Sequence, residues 1–244
     1  MGTKVLSFWG KGGVGKTTCS ASYASYLAKE GFNTLLVTSD PTPSLSDIMD
    51  VRIGAEKRKI GGLSLTAIEL DEESVKRMWK EKFGEEVYKV VSSFLPVDRS
   101  IIDYVAGAPG IPDEFMLSYI LDLHDGERYD YIVWDTAPAG GTLRLLRIEE
   151  QFYRHLGDAA KLYLSVKTVI ERIRRGERGP LEIIEAWRGL ALKVLNLLSS
   201  KDFIAYIVTI PEWLGVAQTE RIINELKEFN IKIGSIIVNQ VLRG

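Results

Sequence analysis

The sequence predicts an α/β fold, a mostly parallel twisted sheet flanked by helices, with a helical subdomain. Three observations point there. Short apolar runs such as Thr34-Leu35-Leu36-Val37-Thr38 have the character of strands buried on both faces, as parallel strands are. Helical periodicities alternate with these runs, the order that builds βαβ units. One helical block is longer than a plain crossover needs, and it separates two core strands.

At 244 residues, the chain can form one large domain or a domain carrying an insert. A net charge of −2 gives no overall pull toward nucleic acid or an anionic membrane. The single cysteine, Cys19, excludes an internal disulfide and any cysteine-pair metal site, so zinc is not expected. His124 and His155 stand alone in polar surroundings and receive no role. The sequence contains no leader-like segment and no apolar run of about eighteen residues, so a cytoplasmic protein without an integral membrane segment is expected.

The first strand is Lys4 to Trp9. Gly10-Lys11-Gly12-Gly13-Val14-Gly15-Lys16-Thr17-Thr18 follows and satisfies G-x-x-x-x-G-K-[ST] in full. A helical pattern from Cys19 to Lys29 comes next, closed by Gly31. Strand, glycine loop and helix are the context of a phosphate-binding loop. Glycines let successive backbone N–H groups turn inward around phosphate oxygens, and the helix presents its positive end to the same anion. Lys16 is expected to reach the β- and γ-phosphates, and the Thr17 hydroxyl to ligate Mg²⁺. Lys11 is a second loop lysine that an ordinary loop of this kind does not need. It is either a cation for the phosphates or a solvated side chain.

The strand Thr34–Thr38 stops at Ser39-Asp40-Pro41, because proline cannot extend the ladder. Open α/β sheets place ligands at such carboxyl ends, which puts Asp40 beside the phosphates. Leu63 to Leu70 reads as a strand, and Asp71 to about Ser93 as a charged helix broken by Pro96. Val97–Ala106 and Pro112–Leu123 read as further helices around the turn Gly107-Ala108-Pro109-Gly110. Tyr129–Asp135 is an apolar strand ending in a carboxylate. Asp135 there is either the second Mg²⁺ anchor or a plain turn aspartate. Thr136–Thr142 is a small-residue loop, and Leu143 to about Arg175 is largely helical. Arg172, Arg174, Arg175 and Arg178 form an exposed basic loop, whose simpler reading is a solvated charge run. Pro180 opens a helix to Leu198 with a broad apolar face, either buried or lining an apolar groove. Phe203–Ile210 is a strand ending at Pro211-Glu212. Thr219–Phe229 is an amphipathic helix, and Lys232–Val238 is the last strand. Asn239 and Gln240 stand at its carboxyl end, where Asn239 could meet an adenine edge with donor and acceptor. The chain is therefore read as one domain over 1–244, with a helical subdomain from about 71–124 and 143–200.

Three segments together resemble one family. Lys11-Gly-Gly-Val-Gly-Lys-Thr-Thr18, Thr38-Ser-Asp-Pro-Thr-Pro-Ser-Leu-Ser-Asp47 and Asp135-Thr-Ala-Pro-Ala-Gly-Gly-Thr-Leu-Arg144 are similar to the phosphate loop, switch I and switch II of the arsenite-pump ATPases. These are deviant Walker A (SIMIBI-class) P-loop enzymes, and they include the cytosolic ATPase that delivers tail-anchored membrane proteins. The resemblance implies ATP and Mg²⁺ as ligands, and ADP and phosphate as products. It implies that Asp40 activates the attacking water and contributes to the metal site with Thr17 and Asp135. Lys11 would cross a nucleotide-dependent homodimer to the partner's phosphates, with Lys16 acting in its own loop. Asp47 would belong to switch I. Pro211, Asn239 and Gln240 would line the nucleotide, with Asn239 selecting adenine. Ala139 and Gly141 depart from the family's switch II, and its C-x-x-C zinc motif is absent.

The expected output is a chaperone or targeting factor that binds and releases a protein client, gripped near Leu181–Leu198. Two other readings stay open. One is a Par- or Min-type positioning ATPase, for which Arg172–Arg178 is the DNA-binding candidate. The other is a small-molecule phosphotransferase on the same core.

Overall fold

The computed structural model describes residues 2–39, 44–126, 128–137, 154 and 179–242. Seven strands form one sheet: β1 (Lys4–Trp9), β2 (Thr34–Thr38), β3 (Arg58–Lys59), β4 (Leu65–Glu69), β5 (Tyr131–Asp135), β6 (Phe203–Thr209) and β7 (Lys232–Val238). Their order is β3-β4-β2-β5-β1-β6-β7. Every pairing is parallel except β3 with β4. The helices given by the described residues are α1 (Lys16–Lys29), α2 (Leu45–Met49), α3 (Glu72–Ser92), α4 (Ser100–Ala106), α5 (Ile111–Asp125), α6 (Pro180–Leu198) and α7 (Trp213–Glu228). The α/β class expected from the apolar runs is the one found.

The chain divides into two compact units. Unit 1 holds Met1–Ser74, Tyr119–Arg144 and Asn196–Gly244. Inside its sheet β1 lies between β5 on one side and β6 on the other. Val5, Phe8 and Trp9 of β1 and all of β2 are buried, as expected for strands covered on both faces. Ala21, Ala24, Leu27 and Ala28 give α1 a buried stripe, and small residues let that helix lie close to the sheet. Lys29 in its last turn suits the negative end of the helix dipole, and Gly31 ends it at φ 93°. Lys4 Nζ donates to Asp202 Oδ1 at 2.5 Å, tying the start of β1 to the approach to β6.

Unit 2 holds Val75–Ser118 and Leu145–Leu195. Its described part lines an open cavity of about 230 Å³ whose walls include Trp79, Phe83, Val90, Phe115, Trp187 and Val194. Trp187 donates its indole N–H to Glu86 Oε2 at 2.7 Å, so the ring's polar edge is satisfied while its body stays apolar. One face of α6 lines this cavity through Trp187, Leu190, Ala191 and Val194. Among the described residues no helix is long and apolar enough to cross a membrane.

Several boundaries differ from expectation, each for a local reason. Helix α1 begins at Lys16, because Gly15 in the left-handed region turns the chain directly into it. Helix α7 begins at Trp213 and not at Thr219. Gly215 looks like a loop residue, but it sits in the first turn because a Cβ there would lie 2.6 Å from the Ile210 carbonyl oxygen. The two-residue β3 and the five-residue α2 are too short to show a period. The arginine cluster 172–178, His155, and Ala139 and Gly141 lie outside the described residues.

Candidate functional site

At the carboxyl end of β1 the chain leaves the sheet through Gly10. A Cβ on Gly10 would strike the Val208 carbonyl oxygen of β6, so only glycine lets the loop pass there. Gly13 and Gly15 follow at φ 82° and 90°, the left-handed region. Val14 between them is buried in the core and pins the loop to the sheet. Gly12, Gly13 and Thr18 are exposed, while Lys11, Gly15 and Thr17 are half-buried. The loop thus has an anchored apolar residue and an accessible rim of glycine backbone. Lys16 is buried, and its Nζ donates to the Lys11 carbonyl at 3.3 Å, folded over the loop it would serve. Thr17 opens α1 beside it, and its carbonyl accepts from Ser20 Oγ at 2.9 Å.

Strand β7 reaches the same loop from the far side of β6. Asn239 N–H donates to the Thr209 carbonyl at 2.8 Å, continuing the ladder past the end of the strand. Its side chain Nδ2 donates to the Val14 carbonyl at 2.9 Å, and Gln240 Nε2 donates to the Gly13 carbonyl at 3.2 Å. These two carboxamides brace the loop backbone. A carboxamide has two N–H groups and a carbonyl, so one bond does not use up its capacity. A Cβ on Gly15 would overlap the Asn239 amide, which adds a second reason for glycine there. Pro211 is exposed on the connection between β6 and α7.

Asp135 ends β5 at 1% exposure, in register with Phe8 of β1 and Thr38 of β2. Thr38 Oγ1 donates to its Oδ2 at 3.1 Å. Burial first, and the Asp135 charge second, push the Cys19 thiol above its ordinary value. The carboxylate therefore acts on the first turns of α1, close in sequence to Thr17. Ser39 follows β2: its N–H donates to the Asp135 carbonyl at 3.2 Å, and its Oγ accepts from the Trp134 indole at 3.1 Å. Asp40 lies outside the described residues, between Ser39 and Ser44. Asp47 is exposed on α2.

Sequence reasoning missed Glu69, Trp134 and the bracing bonds of Asn239 and Gln240. Glu69 ends β4 as Asp135 ends β5, so the same argument from strand-terminal carboxylates pointed to it. The bracing bonds span more than 220 residues of sequence, and no local pattern carries them.

Comparison with known proteins adds the following. The anion-transporting ATPase family profile matches residues 3–244. ATPase ASNA1 homolog 1 of Paramecium tetraurelia is 32% identical over 246 residues, covering 96% of this chain and 73% of that protein. ATPase GET3 of Phaeosphaeria nodorum is 32% identical over 244 residues, covering 96% and 75%. The putative arsenical pump-driving ATPase 2 of Aquifex aeolicus is 30% identical over 251 residues, covering 98% and 80%.

Proposed function

The chain belongs to the anion-transporting ATPase family and is an ATPase, and on that premise we propose that it cleaves Mg²⁺-bound ATP in the loop Gly10–Thr18 to switch a client-binding surface. Support comes chiefly from the glycine geometry, where Gly10 and Gly15 each occupy a place that a Cβ would fill. The loop amides of Gly10, Gly12, Gly13, Val14 and Gly15 face the phosphates, Thr18 adds a hydroxyl, and Lys16 neutralises the β- and γ-oxygens. Thr17 and Asp135 fit a hard divalent cation, which takes oxygen donors and completes its shell with phosphate and water. That cation, when bound, offsets the charge that develops on the phosphoryl oxygens. Asp40 aims the attacking water and takes its proton, with ADP and inorganic phosphate as products. Lys11 adds a second cation across a nucleotide-dependent homodimer. Pro211, Asn239 and Gln240 line the base and loop side of the site. The protein works in the cytoplasm as a chaperone or targeting factor, and its helical subdomain offers a client the apolar surface of α6 and the cavity beside it.

The test is nucleotide titration and phosphate release. Lys16→Ala should lower ATP affinity by about 10²-fold, the size expected when a buried charged partner is removed. Asp40→Asn should keep affinity and lose turnover. Normal binding by Lys16→Ala, or wild-type turnover by Asp40→Asn, overturns the assignment. An apolar helical peptide should bind with different affinity in the ADP and ATP-analogue states; equal affinity removes the client switch.

A further inference from the structure

Glu69 is buried at 8% exposure at the carboxyl end of β4, in register with Thr38 of β2. Among the described residues its partners are hydrogen-bond donors at the start of α2. Oε1 accepts from the backbone N–H of Leu45 at 2.7 Å and of Ser46 at 3.4 Å, and Oε2 accepts from the Ser46 hydroxyl. Ser46 Oγ in turn accepts from the Ile53 N–H at 3.0 Å, and the Glu69 N–H donates to the Gly54 carbonyl at 3.0 Å. The first amides of a helix have no partner within it, and Ser44 makes no side-chain cap on α2. Glu69 supplies that cap from a different strand.

The consequence lies in where the capped helix stands. The connection that carries Asp40 leaves the sheet at Ser39 and returns at Leu45. Its departure is held by Trp134 and Asp135 on β5, through the indole bond to Ser39 Oγ and the Ser39 N–H. Its return is held by Glu69 on β4. The two anchors stand on the strands either side of β2, at the carboxyl ends of β4 and β5.

We propose that Glu69 is a positioning residue for hydrolysis, a carboxylate that fixes the start of α2 and thereby the aim of Asp40. This rests on the reading that Asp40 directs the attacking water. Glu69 touches neither substrate nor metal. Its effect falls on the chemical step and spares nucleotide binding, which belongs to the loop on β1.

Steady-state ATP turnover and ADP titration on the full chain test it, with Tm measured alongside so that assays run on folded protein. Glu69→Ala should lower kcat by about 10²-fold, the scale of a small misplacement of a catalytic group, and leave KM and ADP affinity within about twofold. Glu69→Gln keeps a carbonyl acceptor for the Leu45 amide and should recover most of kcat. Ser46→Ala removes only the hydroxyl link; it should lower kcat about tenfold at unchanged KM, and it serves if Glu69→Ala does not fold. A folded Glu69→Ala, or Ser46→Ala, that turns over at the wild-type rate overturns the proposal. A rise in KM at constant kcat overturns it too, as does Gln failing as badly as Ala. Failure of the underlying reading looks different: Asp40→Asn then turns over normally, and the positioning role falls with it.

Discussion

Gly15→Ala is the sharpest perturbation of the loop, because two separate costs fall on one methyl group. At φ 90° an L-residue is strained by about 1–2 kcal/mol. The new Cβ also overlaps the Asn239 amide, so that side chain must move and release the Val14 carbonyl, a bond worth about 1 kcal/mol. An unliganded loop can relax, so the cost is charged to the nucleotide-bound state. The sum, about 2–3 kcal/mol, is about a 30- to 150-fold loss of ADP affinity at about 1.4 kcal/mol per tenfold. Calorimetric titration measures it directly. Asn239→Ala alone should cost less, since it leaves the backbone of Gly15 unstrained. Combined with Gly15→Ala it removes the collision, so the double variant should lose less than the sum, with a coupling of about 1 kcal/mol. Affinity of Gly15→Ala within about threefold of wild type, or strictly additive losses, would refute the claim that the loop and the end of β7 are packed as one piece.

Two further outcomes are expected. Mass in solution should double with a non-hydrolysable ATP analogue but not with ADP, and Lys11→Ala should abolish the difference; a monomer in both states removes the homodimer. The Cys19 thiol is pushed up by burial and by Asp135, so the thiolate is scarcer in the folded protein than in the unfolded chain at any given pH. Alkylation of the native protein should therefore keep accelerating above the ordinary thiol range, and Asp135→Asn should bring the midpoint part of the way down, because burial remains. A midpoint at or below the ordinary value would contradict the burial of Cys19, and an unchanged midpoint in Asp135→Asn would contradict the placement of Asp135 beside α1.

The fold was readable where the chain repeats one local choice. Lys4–Trp9, Thr34–Thr38 and Lys232–Val238 form strands with the boundaries expected, because each is a β-prone run closed by glycine or polar residues. The glycine loop was readable as a motif because its function needs fixed residues at fixed spacing. What surrounds it was not. Gly215 falls before the helix start expected at Thr219, yet it is a contact point in space inside that helix. Glu69 reads as a strand end, and only the arrangement of β4 beside β2 shows that it reaches the amides of Leu45 and Ser46. Asn239 reads as a base-recognition residue, and the fold adds a grip on Val14. In each case the missing information was which distant residue lies opposite.

The place of β1 between strands that come later in the sequence bears on how the protein is made. Val5 pairs with Ile132 on one flank and Phe203 on the other, and the loop that follows is braced by residues 239 and 240. In synthesis the phosphate-binding motif emerges before β5, β6 and β7, the strands that flank and brace it. ATP stabilises only a structure that can already bind it. The growing polypeptide must therefore reach those later strands unaided by nucleotide, with its early apolar segments still waiting for their partners in the sheet.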